Sequence, residues 1–64
     1  MTAREYAKSR GFEVVGKLKR MPDKSYGMDD KRHYPWWVDE AGNEYLMDNK
    51  AGQFCIITAD GGVL

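Results

Sequence analysis

A single cysteine, Cys55, and a single histidine, His33, stand in a chain of 64 residues. One thiol cannot close an internal disulfide, and no Cys-x-x-Cys or paired-histidine spacing offers a structural zinc site. The covalent and metal staples that small scaffolds commonly use are therefore closed to this one. A chain of this size buries only about 60% of the surface its unfolded form exposes, so one thin core is all it can build. Association with another chain then becomes an attractive way to add to it.

Long apolar runs are missing as well. Nothing approaches the roughly 20 residues of a membrane-spanning helix, and the opening MTAREYAKSRG has no apolar stretch of the secretory kind. These absences predict a soluble protein of the reducing cytoplasm. Net charge is also absent, since ten basic residues balance ten acidic ones. No global pull toward nucleic acid or a membrane follows. The balance is uneven along the chain: residues 1–33 carry nine basic and five acidic groups (net +4), and residues 34–64 carry one and five (net −4). Such an asymmetry can orient a charged partner.

What is present is concentrated in YPWWVDEAGNEYLMDNKAGQFCIIT, Tyr34 to Thr58. Three short apolar runs, Tyr34–Val38, Glu44–Met47 and Gln53–Thr58, are separated by Asp39–Asn43 and Asp48–Gly52. Each separator opens on an Asp and carries a glycine near its end, where a left-handed backbone is cheapest. The pattern predicts an antiparallel meander. Ahead of it, Thr2 and Glu5 have capping-box spacing, Ala3, Tyr6, Ala7 and Arg10 form a helical stripe, and Gly11 sits at a C-cap. A helix over residues 2–10 is too short to stand alone in water and must dock on the sheet. Phe12–Lys19 alternates, with Phe12, Val14, Gly16 and Leu18 on one side, and predicts a further strand that Pro22 closes off. Residues 20–33, RMPDKSYGMDDKRH, lack apolar periodicity and read as one long loop. The fold expected is α+β: a single small domain with an N-terminal helix packed on an antiparallel sheet of about four strands, 12–19, 34–38, 44–47 and 53–58.

The sheet has a surplus. Successive side chains in a strand point to opposite faces, so Trp36 and Trp37 diverge, as do Tyr45 and Leu46. One small helix covers one face. The other needs a lid, either the 20–33 loop with Met21, Tyr26 and Met28, or a partner protein; strong sheet twist is a third way to hide both tryptophans. Contiguous apolar patches mark interaction sites, and Trp, Tyr and Met are enriched at interface cores. The function expected is a small non-enzymatic protein-interaction module, binding an unidentified protein or a second copy through Trp36, Trp37, Tyr45, Met47 and Ile57, or through an edge strand. The alternative is a nucleic-acid-binding accessory domain. Lys17, Lys19, Arg20, Lys24, Lys31 and Arg32, beside Tyr34 and the tryptophans, supply the cations and rings that single-stranded nucleic acid uses, although no recognised signature of that kind is present.

Catalytic, cofactor and metal sites are not expected. His33 lies in a charged loop and reads as a solvated side chain. Cys55 lies in an apolar run without a neighbouring base. Asp29 and Asp30 have no metal-loop spacing, and Gly61-Gly62 opens no helix that would cradle phosphate.

Overall fold

The computed structural model describes residues 1–64 as one helix and four strands. Helix α1 spans Ala3–Ser9, with Thr2 as its N-cap. The Glu5 amide donates to the Thr2 hydroxyl at 3.2 Å, and the Thr2 amide donates to the Glu5 carboxylate at 2.8 Å. These reciprocal bonds satisfy two donors that a helix start otherwise leaves unpaired. At the far end, the Phe12 amide donates to the Ala7 carbonyl at 2.8 Å and turns the chain away. Ala3, Tyr6 and Ala7 form the buried stripe, which packs against β3.

Strands β1 (Lys19–Lys24), β2 (Tyr34–Val38), β3 (Glu44–Asp48) and β4 (Gln53–Ile57) form one antiparallel sheet in that order. The turns between β2, β3 and β4 place Gly42 and Gly52 at φ 89° and 67°, where a side chain would be strained. Beyond β4 the chain turns back. Leu64 exchanges both backbone bonds with Ile56, at 3.0 and 2.8 Å, and covers the outer edge of the last strand. No helix is long and apolar enough to cross a membrane.

Two expectations fail at the start of the sheet. Phe12–Lys19 is not a strand, and the first strand lies instead at Lys19–Lys24, inside the expected loop. The alternation in Phe12–Leu18 is real as burial, with Val14 buried and Phe12 and Leu18 half-buried. Its cause is a connector lying along the core. Gly16 breaks the extended run with φ 71°, and the Glu40 carboxylate occupies the space a β-carbon would need there. The connector's backbone is tied to the β2–β3 turn: the Val15 amide donates to Asp39 at 3.0 Å, the Lys17 amide donates to Glu40 at 2.6 Å, and the Glu40 amide donates to the Val15 carbonyl at 3.0 Å. Pro22 is tolerated within β1 because that strand is an edge and its register shifts between Met21 and Lys24.

Register separates the two tryptophans. Trp37 lies in line with Tyr45 and Ile56, and Trp36 lies in line with Leu46 and Cys55. The first row joins Ala3, Tyr6, Ala7, Val14 and Met47 in the helix-side core. The second row joins Tyr34 on the opposite face, with Met21 and Ile57 at its margin. Residues 25–33 form a strap over part of that opposite face. The Tyr26 ring stacks on Trp36 at 6.4 Å between centroids and 21° between planes. The Trp36 indole N–H donates to the Lys24 carbonyl at 3.0 Å, and the Lys24 ammonium sits 4.7 Å from the indole centroid. Trp36 is thereby fully buried by its own chain.

Candidate functional site

The most densely bonded group in the molecule is Asp39, at the end of β2 and only 5% exposed. One carboxylate oxygen accepts from the amides of Ala41 and Asn43 at 3.0 and 2.9 Å. The other accepts from the Val15 amide at 3.0 Å, the Asn43 side-chain amide at 2.9 Å and the Tyr45 hydroxyl at 2.7 Å. Burial alone would push this carboxyl up, but the donors from Asn43, Val15 and Tyr45 outweigh it and hold it well below the usual carboxylate range. Burial and the adjacent Asp39 in turn push the Tyr45 hydroxyl up. A carboxylate has about four lone-pair sites, and five donors fill them. Nothing remains to take a substrate proton or a metal. Asn43 extends the network by accepting from the Ala59 amide at 2.8 Å. Asp39 therefore acts as a clamp joining the connector, the β2–β3 turn and the turn after β4.

A different arrangement occupies the open half of the helix-side face, over β1 and β2. Leu18, Pro35, Trp37 and Met47 line a recess of about 410 Å3, with Arg20 and Asn49 as polar members and the chain at Met1–Ala3 as a wall. Trp37 is half-buried there. The Arg20 guanidinium stands 5.5 Å from the Trp37 ring centroid. It is fixed in place by bonds to Asp23 at 2.7 Å and to the Trp36 carbonyl at 3.2 Å. A recess with an aromatic floor and a pre-positioned cation can hold an apolar side chain next to an anion.

The residues expected to form one protein-binding surface do not do so. Trp36 and Tyr45 are fully buried and offer no surface to a partner, and Met47 shows only the edge that lines the Trp37 recess. Only Trp37 and Ile57 are half-buried, and they belong to opposite faces of the sheet. The cause is register together with the strap, which hides Trp36. The expected nucleic-acid set is likewise divided. Arg20 lies over Trp37 on the helix side and Lys24 over Trp36 on the strap side, and each is ion-paired, with Asp23 at 2.7 Å and with Glu44 at 2.6 Å. Arg32 stands 5.5 Å from the ring of Tyr34, which is itself buried. Lys17, Lys19 and Lys31 remain exposed without an ion pair. These cations do not form one track along bare rings.

Cys55 is buried, and that burial pushes its thiol up, away from the reactive thiolate. No three His, Cys, Asp or Glu side chains gather where a metal could bind. The Arg20–Trp37 pair and the Asp39 clamp both escape the sequence. The only signals for them are an arginine two residues before Pro22 and the spacing Asp39-x-x-x-Asn43-x-Tyr45. No family model, no curated protein and no solved structure matches the chain.

Proposed function

We propose that this domain is a protein-interaction module that takes one apolar side chain of another protein into the Trp37 recess. The Arg20 donors that Asp23 and the Met21 and Trp36 carbonyls leave open meet a carboxylate beside it. The observation that carries this reading is the half-buried indole under an already fixed guanidinium. Trp and Arg are the residue types most enriched among binding hot spots, and a cation held before binding loses little freedom when a partner arrives. Lys17 and Lys19, exposed and unpaired just upstream, add positive charge that would steer an acidic segment. Strand addition is the weaker route. The β1 edge carries Lys19, Arg20, Pro22, Asp23 and Lys24 with a register shift, all features that discourage pairing. The β4 edge is occupied by Leu64.

The test is a titration followed at the two indole N–H resonances, using short peptides with a central Leu or Met flanked either by Asp and Glu or by Lys. Acid-flanked peptides are expected to move the Trp37 resonance and leave Trp36 still, and Arg20→Ala should weaken the response. Silence at Trp37 with both peptide sets up to about millimolar, the weakest affinity worth calling binding, would remove the reading. A response to single-stranded oligonucleotides instead, falling steeply as salt rises, would replace it with the nucleic-acid alternative.

A further inference from the structure

The strap offers surface that the fold does not use. Met28 is wholly exposed and Tyr26 is 48% exposed. Met28 sits in the turn Gly27–Asp30, closed by the Asp30 amide donating to the Gly27 carbonyl at 3.2 Å. The strap covers Trp36 but stops short of the β3–β4 half of the same face. There Tyr26, Tyr34, Phe54 and Cys55 border an open recess of about 520 Å3, with Asp30 and Gln53 as its polar members. An unsheltered apolar knob and an open recess of mixed apolar and polar lining therefore lie next to each other on one side of one chain. A two-fold contact between identical chains requires this arrangement, because the same patch must supply both halves of the fit.

The charges of the strap point to the same partner. Asp29-Asp30-Lys31-Arg32 reads acid, acid, base, base. Laid antiparallel against its own copy, Asp29 meets Arg32 and Asp30 meets Lys31 on both sides of the axis; laid parallel, like charges meet. None of these four side chains forms an ion pair within the chain, whose two salt bridges are Arg20–Asp23 and Lys24–Glu44. The Asp30 carboxylate accepts from the Arg32 amide at 2.9 Å, which fixes the local bend. Asp29 and Lys31 are exposed, while the half-buried Asp30 and the Arg32 guanidinium, 5.5 Å from the Tyr34 ring centroid, stand at the edge of the recess. Exposed pairs of this kind set orientation more than affinity, so the attraction rests on burying Met28.

We infer that two copies of this chain associate through the strap face about a two-fold axis. Met28 of each copy enters the recess beside the strap of the other, and the four strap charges pair across the axis. The inference does not depend on the Trp37 recess, which lies on the other side of the sheet.

Sedimentation equilibrium from about 10 μM to about 1 mM, the range of weak association, reads it directly. The mass is expected to rise from one chain toward two. Met28→Glu, at a position wholly exposed in the single chain, should leave the fold intact and weaken association roughly ten- to hundredfold, the range that burying one methionine supports. Two charge variants sharpen the result. Asp29→Lys with Asp30→Lys, and Lys31→Asp with Arg32→Glu, should each associate more weakly alone than the wild type and regain association when mixed in equal amounts. A wild type that stays a single chain throughout overturns the inference. So does a dimer that Met28→Glu and both charge variants leave unchanged.

Discussion

The two faces of the sheet are covered by opposite means. On the helix side the cover is a capped helix and a connector whose backbone is bonded to the Asp39 clamp and to Glu40. On the strap side the cover is a stretch without regular structure, held by the Tyr26 stack on Trp36 and by the Arg32 guanidinium over the Tyr34 ring, while the Trp36 indole N–H is tied to Lys24 of β1. The helix side has its polar groups bonded into a network that joins the connector to two turns. The strap side leans on two rings of β2, Trp36 and Tyr34. A cover made of backbone bonds and caps resists local opening, whereas a cover made of side-chain contacts to two rings can lift while the sheet stays intact. The less anchored face is also the one with the exposed Met28 and the unfilled recess.

The largest expected effect tests that dependence. Trp36→Ala removes a fully buried indole and should cost about 3–5 kcal/mol in urea unfolding, a large part of the roughly 3–10 kcal/mol that a domain of this size has in total. Trp37→Ala removes a half-buried one and should cost about 1–2 kcal/mol, in proportion to the area it hides. Equal losses at the two positions would mean that the faces are not built differently after all.

The clamp on the other face comes next. Asp39→Asn keeps the shape of the side chain but turns an acceptor of five donors into a neutral amide with donors of its own, and about 3 kcal/mol should be lost. The folded carboxyl titrates below its unfolded value. Its contribution is therefore complete above the unfolded carboxylate range, about pH 4, and is lost as pH falls from there toward the folded value. Unfolding midpoints of the wild type should decline through that acid window, and those of Asp39→Asn should decline less. Parallel acid profiles would show that Asp39 is not the group responsible.

Much of this contrast can be seen in the sequence, but not all of it. Thr2, Glu5 and Gly11 mark the helix because caps are local chemistry. The strands β2, β3 and β4 fall within a residue of their expected limits because their apolar runs and glycine-bearing turns are local too. β1 was hidden for a physical reason. An edge strand bonds through its backbone on one side only and needs no apolar alternation, so KRMPDK carries no period at all. The Phe12–Leu18 connector misled for the converse reason: lying on a core buries every second residue whether or not a ladder forms. The divergence of Trp36 and Trp37 follows from strand geometry alone, but which of them meets the helix depends on the pairing of Trp37 with Tyr45. The Asp39 clamp and the Arg20–Trp37 pair draw on partners distant in the chain. Val15 lies 24 residues from Asp39, a separation that no local pattern encodes.

The smallest expected effect is the most discriminating. Tyr26→Ala removes a ring that is still 48% exposed, and an aromatic pair of this kind is worth about 0.5–1.5 kcal/mol. Global stability should therefore fall by about 1 kcal/mol or less. Local protection should change more. With the stack gone, the Trp36 indole N–H, which donates to the Lys24 carbonyl at 3.0 Å, loses the ring that shields it and should exchange with deuterium faster. The amides of Tyr45 and Ile56, in the helix-side row, should lose no more protection than the change in global stability demands. That pattern would establish a strap that opens on its own above a sheet that does not. If the indole and the helix-side amides accelerate together, the two covers open as one unit, and the contrast between a clamped face and a draped one is lost.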